Sequence, residues 1–327
     1  MSKRGYWTRR QVLQAAITAP AVFLKVPEMQ GGNAMAAAPG RARDLSPWDE
    51  ATARHPAGGI LRHVFPVMDI AAQHPSVRTD RREDYLALMA GIVDFFHGYQ
   101  DPAGAIIDPY VKAERQYATP AFALAAASLV RHAGRHDLLE PALLAQTFAV
   151  SALANGTTAD FHADFYIPMI MHTRRLLKKL AGPASLAEWD AMLRSLVPEK
   201  AYRDHNAGGN WNIVNVSGEC LRRKDGLVDP AQAAGQSAYI ERSLTKQAAR
   251  FTRFGMYEDP NAPLAYDAFP RLWMEDAVAN EAYDGPHHDS LLRFLVDGGL
   301  STLLLLSPSG EWPCGGRSAH HQWNEAE

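Results

Sequence analysis

Residues 82–99 read REDYLALMAGIVDFFHGY, and this stretch decides the fold class. Arginine, leucine, alanine and methionine are strong helix formers. Apolar side chains recur at Leu86, Met89, Ile92, Val93 and Phe96, which is the spacing of one helix face. The stretch therefore predicts an amphipathic α-helix over Arg82–Tyr99.

The rest of the chain repeats this pattern. Further helices are predicted for Thr119–Gly134, Leu138–Asn155, Phe161–Leu180, Ala231–Phe254 and Leu291–Leu306. No stretch alternates apolar and polar residues for long enough to indicate a strand, so the predicted fold class is all-α. The last helix is apolar nearly all round, but Arg293 and Asp297 interrupt it. It is typical of a buried helix, and we expect no stable membrane insertion.

Composition excludes several classes of protein. The chain has 327 residues and is 47% apolar, which is too high for a disordered chain. A formal charge of −3 gives no basic surface for nucleic acid. Two cysteines, Cys220 and Cys314, cannot form a disulfide framework. In an oxidising compartment they could pair, or they could remain two separate thiols.

The N-terminus has the features of an export signal. Arg9 and Arg10 precede an apolar stretch from Ala15 to Val26, and Ala34-Met35-Ala36 supplies a small-x-small cleavage site. The apolar stretch is about 12 residues long, against about 20 for a membrane span. Residues 1–36 therefore resemble a twin-arginine signal, which implies the twin-arginine export machinery as a partner and a periplasmic or secreted location. Its removal leaves a formal charge of −7.

Loops recur at intervals of about 50 residues, which is the length of a helical hairpin with its connections. Glycines mark them at positions 104, 156, 208, 255 and 310. Because a hairpin returns the chain to its starting side, such loops are expected on one face of a stacked helical array. The same loops carry Tyr110, Phe161, Trp211, Tyr257, Tyr266 and Trp312. Aromatic rings in a polar groove are typical of sugar-binding sites.

Three motifs follow one another in a recognisable order. They are Gly209-Asn210-Trp211-Asn212, then Phe254-Gly255-Met256-Tyr257 followed by Tyr266, and finally Gly315-Gly316-Arg317-Ser318. Together with the helical pattern, this order resembles the (α/α) toroid polysaccharide lyases, of the chondroitin/hyaluronan/xanthan or heparinase II/III-like type. The resemblance covers roughly residue 80 to the C-terminus. It implies an incomplete (α/α) toroid of about five or six helical hairpins.

The resemblance implies a β-elimination on a uronic-acid-containing glycan. Asn212 or Asn210 would neutralise the uronate carboxylate, and Tyr266, with Tyr257 as the alternative, would act as general acid or base. Arg317 would support the tyrosine or hold the substrate. The lyases also carry a catalytic histidine shortly before the tyrosine, and residues 258–265 contain none. His205 and His321 are therefore the candidates for the missing base.

Other residues of the same segments are predicted to bind substrate. They are Asn210, Trp211, Tyr257, Arg271, Trp312 and His320. The expected partner is an anionic polysaccharide or oligosaccharide, with no nucleic acid, no cofactor and no metal. Acidic loop residues such as Glu258, Asp259 and Asp267 leave two alternatives open. One is a glycoside hydrolase on the same fold, including the unsaturated uronyl hydrolase type, and the other is a non-catalytic periplasmic glycan-binding protein.

The predicted organisation has three parts. Residues 1–36 form the export signal, residues 37–80 form a lead-in segment, and residues 81–327 form one helical domain of catalytic type. In the lyase families a β-sandwich region follows the Gly-Arg-Ser segment, whereas this sequence stops a few residues beyond it. A fragment or a short form without that region is therefore expected.

Overall fold

The structure, a computed structural model, describes residues 47–64, 82–203, 208–259, 267–280 and 282–306. Within these ranges the regular structure is helical. Extended pairing in them is limited to two isolated bridges, Gln100 with Ile106 and Phe251 with Tyr257. The prediction of an all-α chain is confirmed for these residues.

The longer helices carry the labels used below. They are α1 (Pro47–Arg54), α2 (Arg82–His97), α3 (Ala118–Ala133), α4 (Leu139–Asn155), α5 (Ala163–Leu177), α6 (Pro183–Arg194), α7 (Pro198–Ala201), α8 (Asn210–Lys224), α9 (Ala233–Ala248), α10 (Ala268–Ala279) and α11 (His288–Leu305). Short 3₁₀ turns occur at His136–Leu138 and Ala159–Phe161. Among these helices none is long and apolar enough to cross a membrane.

The chain divides into two compact units. One comprises residues 1–79, 251–267 and 290–327, and the other comprises residues 80–250 and 268–289. In the described part of the first unit, Ala51, Leu61 and Leu300 form a small apolar core. The second unit holds α2 to α10, and its main apolar core includes Phe122, Leu129 and many alanines.

Four helices of the second unit form a row. Helix α3 packs on α5, α5 packs on α8, and α8 packs on α10. The helices that follow them along the chain pack beside the row, with α4 against α3 and α5, and α9 against α8. Near the starts of the four helices, Phe165 meets the rings of Tyr117, Trp211 and Phe269. About two turns further on, His172 of α5 and Ser217 of α8 both bond to Asp276 of α10. Helices α5, α8 and α10 therefore run in the same direction.

Two glycines allow close backbone approaches in this unit. Gly218 lies at the crossing of α8 and α5, where an added Cβ would stand 2.5 Å from Ile167 Cγ2 and 2.8 Å from Pro168 N. Gly104 has φ +103°, and an added Cβ there would stand 2.4 Å from the Leu144 carbonyl oxygen. The first glycine fixes how near α8 comes to α5, and the second holds the loop before α3 against α4.

Candidate functional site

Rings from the starts of the four row helices meet in one cluster. Tyr117 stacks on Phe165 with 4.8 Å between centroids, and Phe165 meets Trp211 edge-to-face at 5.4 Å. Phe269 lies 6.1 Å from Phe165, and the His162 ring lies 4.7 Å from Trp211. We call Tyr117, His162, Phe165, Trp211 and Phe269 the ring cluster. Phe165 and Phe269 are buried at its base, while Tyr117, His162 and Trp211 stay partly accessible.

A cation stands beside the accessible part of the ring cluster. The guanidinium carbon of Arg203 lies 5.5 Å from the Trp211 ring centroid, and the Arg203 side chain is exposed. The backbone N–H of Arg203 donates to the buried carboxylate of Asp164 at 3.3 Å. Because this backbone position is fixed and the side chain is not buried, Arg203 can meet an anionic group that lies on the tryptophan ring.

Asp160 joins the loop before α3 to the loop before α5. Its carboxylate accepts hydrogen bonds from Arg115 Nε and from the backbone N–H of Gln116, both at 2.9 Å. The Gln116 N–H is the main cause that lowers the pKa of Asp160, with Arg115 acting in the same direction. Asp160 therefore stays ionised across the neutral range and holds the two loops together.

The backbone around this junction is strained. Asp160, Phe161, Gln116 and Lys112 all have positive φ values, between 47° and 62°, although none is glycine. Such residues cost free energy and persist where the surrounding contacts over-determine them, which is common at functional sites. The strain here lies beside the ring cluster and presents Phe161 with three quarters of its surface exposed.

The imidazole of His162 is held in one tautomer. Its Nδ1 lies 2.9 Å from the carbonyl oxygen of Asp160. Since a carbonyl can only accept, Nδ1 carries the hydrogen and the Nε2 of the neutral ring is left as an acceptor. Burial lowers the pKa of His162 below its usual 6.5, and the Arg203 cation acts in the same direction. His162 is therefore neutral at pH 7 and able to take a proton.

A carboxylic acid lies in the loop just before α3. Glu114 accepts a hydrogen bond from the Tyr166 hydroxyl at 2.8 Å. Burial raises the pKa of Glu114 above its usual 4.5, although its hydrogen bonds with Thr119 and Tyr166 oppose that shift. Glu114 and Asp160 thus have carboxyl pKa values that are shifted in opposite directions.

A buried polar network lies beneath the ring cluster and includes Asn212 of the predicted motif and Asn215, which follows it in α8. Asn212 is fully buried; its Oδ1 accepts from Gln247 Nε2 at 2.9 Å and its amide lies 3.4 Å from Ser243 Oγ. Asn215, one turn later, donates to Asp164 at 2.6 Å and accepts from the Tyr239 hydroxyl. These bonds fix the start of α8 and therefore the position of Trp211.

The predicted residues that the structure describes fall in several places. Trp211 belongs to the ring cluster, whereas Asn210 and Asn212 lie buried at the start of α8. Arg271 lies one turn into α10, where its charge opposes the rise in the pKa of Glu275. Tyr257 belongs to the other compact unit; it is buried, and its backbone N–H donates to Asp267 Oδ1 at 2.5 Å.

The remaining predicted residues lie outside the described ranges. They are His205, Tyr266, Trp312, Arg317, His320 and His321. The export signal of residues 1–36 and most of the lead-in segment also lie outside them. Their roles therefore stay predictions.

Sequence reasoning did not single out His162, Arg203, Glu114 or Asp160. The sequence did contain a signal for His162, because it directly follows the loop aromatic Phe161 near the start of a predicted helix. The other three required the knowledge that the loops before α3 and α5 meet each other and that Arg203 lies beside Trp211. Across the residues that the structure describes, no group of three or more histidine, cysteine, aspartate or glutamate side chains is arranged to hold a metal ion.

Comparisons with known proteins identify no relative. No protein family, curated protein or solved structure matches this chain.

Proposed function

We propose that this chain is an exported polysaccharide lyase that cleaves a uronic-acid-containing glycan by β-elimination, on an incomplete (α/α) toroid. The observation that carries the proposal is the contact of His162 with Trp211 beside the exposed Arg203. It combines a sugar-binding surface, a neutral base and a cation within one group of contacting side chains.

The rings supply the binding surface. The faces of sugar rings carry C–H groups that pack on aromatic side chains, whereas their rims carry hydroxyls that form hydrogen bonds. Trp211 and Tyr117 are partly accessible, and Tyr110 and Phe161 are exposed on the neighbouring loops, at 91% and 75%. A sugar chain lying along these rings brings its carboxylates to Arg203.

In the proposed reaction each polar group of the site carries out one step. Arg203 pairs with the uronate carboxylate, which stabilises the negative charge that builds on it when the C5 proton is lost. Nε2 of His162 accepts that proton. The C5–H electron pair forms the C4=C5 double bond, the C4–O bond breaks towards oxygen, and the departing oxygen takes a proton from an acid, for which Glu114, whose pKa is raised by burial, is the candidate.

A glycoside hydrolase is the second candidate, and the pair of carboxyls favours it. Hydrolases need one carboxyl that is protonated near neutral pH and one that is ionised. Burial raises the pKa of Glu114, and the hydrogen bonds from the 115–116 loop lower that of Asp160. In that reaction Glu114 would protonate the glycosidic oxygen and Asp160 would be the ionised partner.

The third candidate function is that of a glycan-binding protein without catalytic activity. The exposed rings of Tyr110 and Phe161 support it as well as they support a lyase. For the lyase, the family resemblance offers other candidates for the same roles: Asn212 for the carboxylate contact, and Tyr266, His205 or His321 for the base, with Arg317 in support. Variants at these positions are tested in the same assay.

One experiment separates the three functions. The purified chain is incubated with a panel of anionic polysaccharides, and both the ultraviolet absorbance of unsaturated products and the number of new reducing ends are followed. A lyase raises both signals together. Reducing ends without absorbance would contradict the lyase and support the hydrolase. Retained binding with neither signal would support the binding protein.

Variants then connect the activity to the ring cluster. Trp211→Ala is expected to weaken glycan binding by roughly 10- to 100-fold, because a stacking surface worth about 1–3 kcal/mol is lost. Trp48 lies in the other compact unit, and Trp48→Ala is the matched control. Equal loss in both variants would contradict the assignment of the ring cluster as the sugar site.

A further inference from the structure

Two neighbouring turns beside the ring cluster are both strained, and one carboxylate joins them. Asp160 and Phe161 follow one another with φ values of 49° and 62°, and Gln116 in the other turn has a φ of 47°. Left-handed conformations cost free energy for residues other than glycine, and such residues normally occur singly. Strain of this kind persists only where surrounding contacts over-determine the backbone, so bonds from outside each turn are needed to hold it.

The carboxylate of Asp160 makes the bonds that cross between the two turns. Its Oδ2 accepts from the backbone N–H of Gln116 and from Nε of Arg115, both at 2.9 Å. The Arg115 side chain is 48% exposed, so its ion pair alone contributes little, and the backbone bond of Gln116 is the firmer constraint. We call these two hydrogen bonds the Asp160 clamp.

The backbone of the same aspartate contacts the imidazole of His162. The Asp160 carbonyl oxygen lies 2.9 Å from Nδ1, and the His162 N–H donates to the Ala159 carbonyl at 3.0 Å. The direction of the Asp160 carbonyl depends on the left-handed conformation of that residue, whose φ and ψ are 49° and 24°. The side chain of Asp160 thus holds the turn whose geometry places its carbonyl on the histidine ring.

We propose that Asp160 is a positioning residue for His162: its clamp on the 115–116 loop keeps the 160–161 turn left-handed and thereby keeps the imidazole hydrogen on Nδ1. Nε2 is then the ring atom with a free lone pair, which is the atom that a general base uses. Without the clamp the turn relaxes, the carbonyl leaves Nδ1, and the hydrogen can occupy either nitrogen. The inference rests on the proposed function only in naming His162 as the base.

NMR spectra of the histidine rings show which nitrogen carries the hydrogen. In a chain labelled with isotope-enriched histidine, the nitrogen shifts distinguish a ring nitrogen that carries hydrogen from one that does not. The chain has 13 histidines, so the signals that are missing from His162→Gln identify the ring. At mildly alkaline pH, where the ring is neutral, the wild-type chain is expected to carry the hydrogen on Nδ1.

Asp160→Gly is the most direct variant. Glycine adopts the left-handed conformation without steric cost, so relaxation of the turn would be due to the lost clamp and not to new strain. The form with hydrogen on Nε2 is expected to become a major one, and kcat is expected to fall by up to about 100-fold.

Asp160→Asn separates the clamp from the charge. Asparagine tolerates the left-handed conformation and keeps an acceptor oxygen for the Gln116 N–H, so it should retain the wild-type signals of His162. A loss of those signals as complete as in Asp160→Gly would assign the effect to the charge of Asp160 and overturn the role of the clamp.

Asp108→Gly is the matched control. Asp108 lies in the same loop as Arg115 and also accepts two hydrogen bonds, but from the backbone N–H groups of Tyr110 and Val111 in its own turn, both at 2.8 Å. It should leave the His162 signals unchanged. If circular dichroism shows that Asp160→Gly does not fold, Arg115→Ala weakens the clamp from the other loop and should shift the same signals by a smaller amount.

The outcomes separate this inference from the proposed function. Shifted His162 signals together with a loss of elimination activity support both. Shifted signals in a chain whose wild type has no elimination activity support the positioning role and contradict the lyase. Wild-type signals in Asp160→Gly, or in Arg115→Ala where the glycine variant does not fold, would overturn the positioning role whatever the activity.

Discussion

Two polar regions of the second unit differ in how their charges are used. Along the middle of α8, Glu219 and Arg222 are fully buried and pair at 2.7 Å. Tyr202 and Gln236 also donate to Glu219, and Arg222 reaches the Leu193 carbonyl at 2.6 Å. In the ring cluster at the start of the same row, the charged and titratable groups of Arg203 and His162 remain accessible.

The comparison shows which polar groups serve stability and which are available for chemistry. Polar side chains that are enclosed and paired by the protein hold helices together, and their loss leaves a buried charge without a counter-charge. Groups held by backbone bonds while part of the side chain faces outward can act on a ligand. Variants in the two regions should therefore fail in different ways.

The largest effect is expected at Arg222. Arg222→Ala leaves the buried carboxylate of Glu219 without its ion-pair partner, which should lower the free energy of unfolding by about 3–5 kcal/mol. The free energy of unfolding is measured by urea denaturation, with circular dichroism as the signal. The control is Arg242→Ala, which removes an exposed ion pair with Glu199 and should cost less than about 1 kcal/mol. Similar losses in both variants would mean that the buried ion pair stabilises the chain no more than an exposed one does.

At His162 the expected loss is in activity instead. His162→Gln should lower kcat by about 100-fold or more, the range that a general base contributes, while the thermal midpoint stays close to wild type. The elimination assay and a thermal melt are run on the same preparation. His136→Gln, at an exposed histidine away from the ring cluster, is the matched control. Full activity in His162→Gln would contradict its role as the base.

The pH dependence of stability gives a smaller effect with a definite sign. Burial lowers the pKa of His162 in the folded chain, so the unfolded chain binds more protons once the pH falls below about 6.5. The contribution of His162 to stability is therefore present above that pH and is lost as the pH falls through its folded pKa. His162→Gln should reduce the loss of stability between pH 7 and pH 5 by less than about 1 kcal/mol. A wild-type slope in that variant would show that His162 is not the group responsible.

The smallest effect is expected at Phe161, and it has two opposite parts. Phe161→Gly removes a side chain from a residue with φ +62°, which should raise the free energy of unfolding by up to about 1 kcal/mol. The same change should weaken glycan binding, because an exposed ring is lost. Tyr110→Gly is the control, since Tyr110 is also exposed but is not among the residues with positive φ. Stabilisation by both glycines would mean that relief of strain is not the cause.

The helices with strong periodicity were predictable from the sequence. The helix predicted for Arg82–Tyr99 extends two residues beyond the end of α2. The bounds predicted for α3 and α4 differ from the observed bounds by no more than one residue at either end. Helix α8 was not predicted, because its first half, Asn210 to Ser217, places asparagines and a serine where an apolar face would be expected. Those polar residues are buried because neighbouring helices supply their hydrogen bonds, and a local pattern does not contain that information.

The candidate site was predictable only in part. Trp211 was expected to bind sugar from its loop and its neighbours in sequence, and it lies in the ring cluster. The pairing of Asp160 with Arg115 and Gln116 joins positions about 45 residues apart, and nothing local marks it. The role of His162 also depends on a backbone carbonyl that accepts from its ring, which a sequence cannot reveal.

One feature of the row has a consequence for the attraction of anions. Helices α3, α5 and α8 begin without a side-chain cap on their first turns, and these ends meet in the ring cluster. Aligned peptide groups give each helix start a partial positive charge of about half an elementary charge. Three such starts and the exposed Arg203 contribute positive charge here, although Arg115 is paired with Asp160 and Asp164 lies in the first turn of α5. The proposed recognition of an anionic glycan would therefore depend on the helix starts and on Arg203 and not on the formal charge of the whole chain, which is −3.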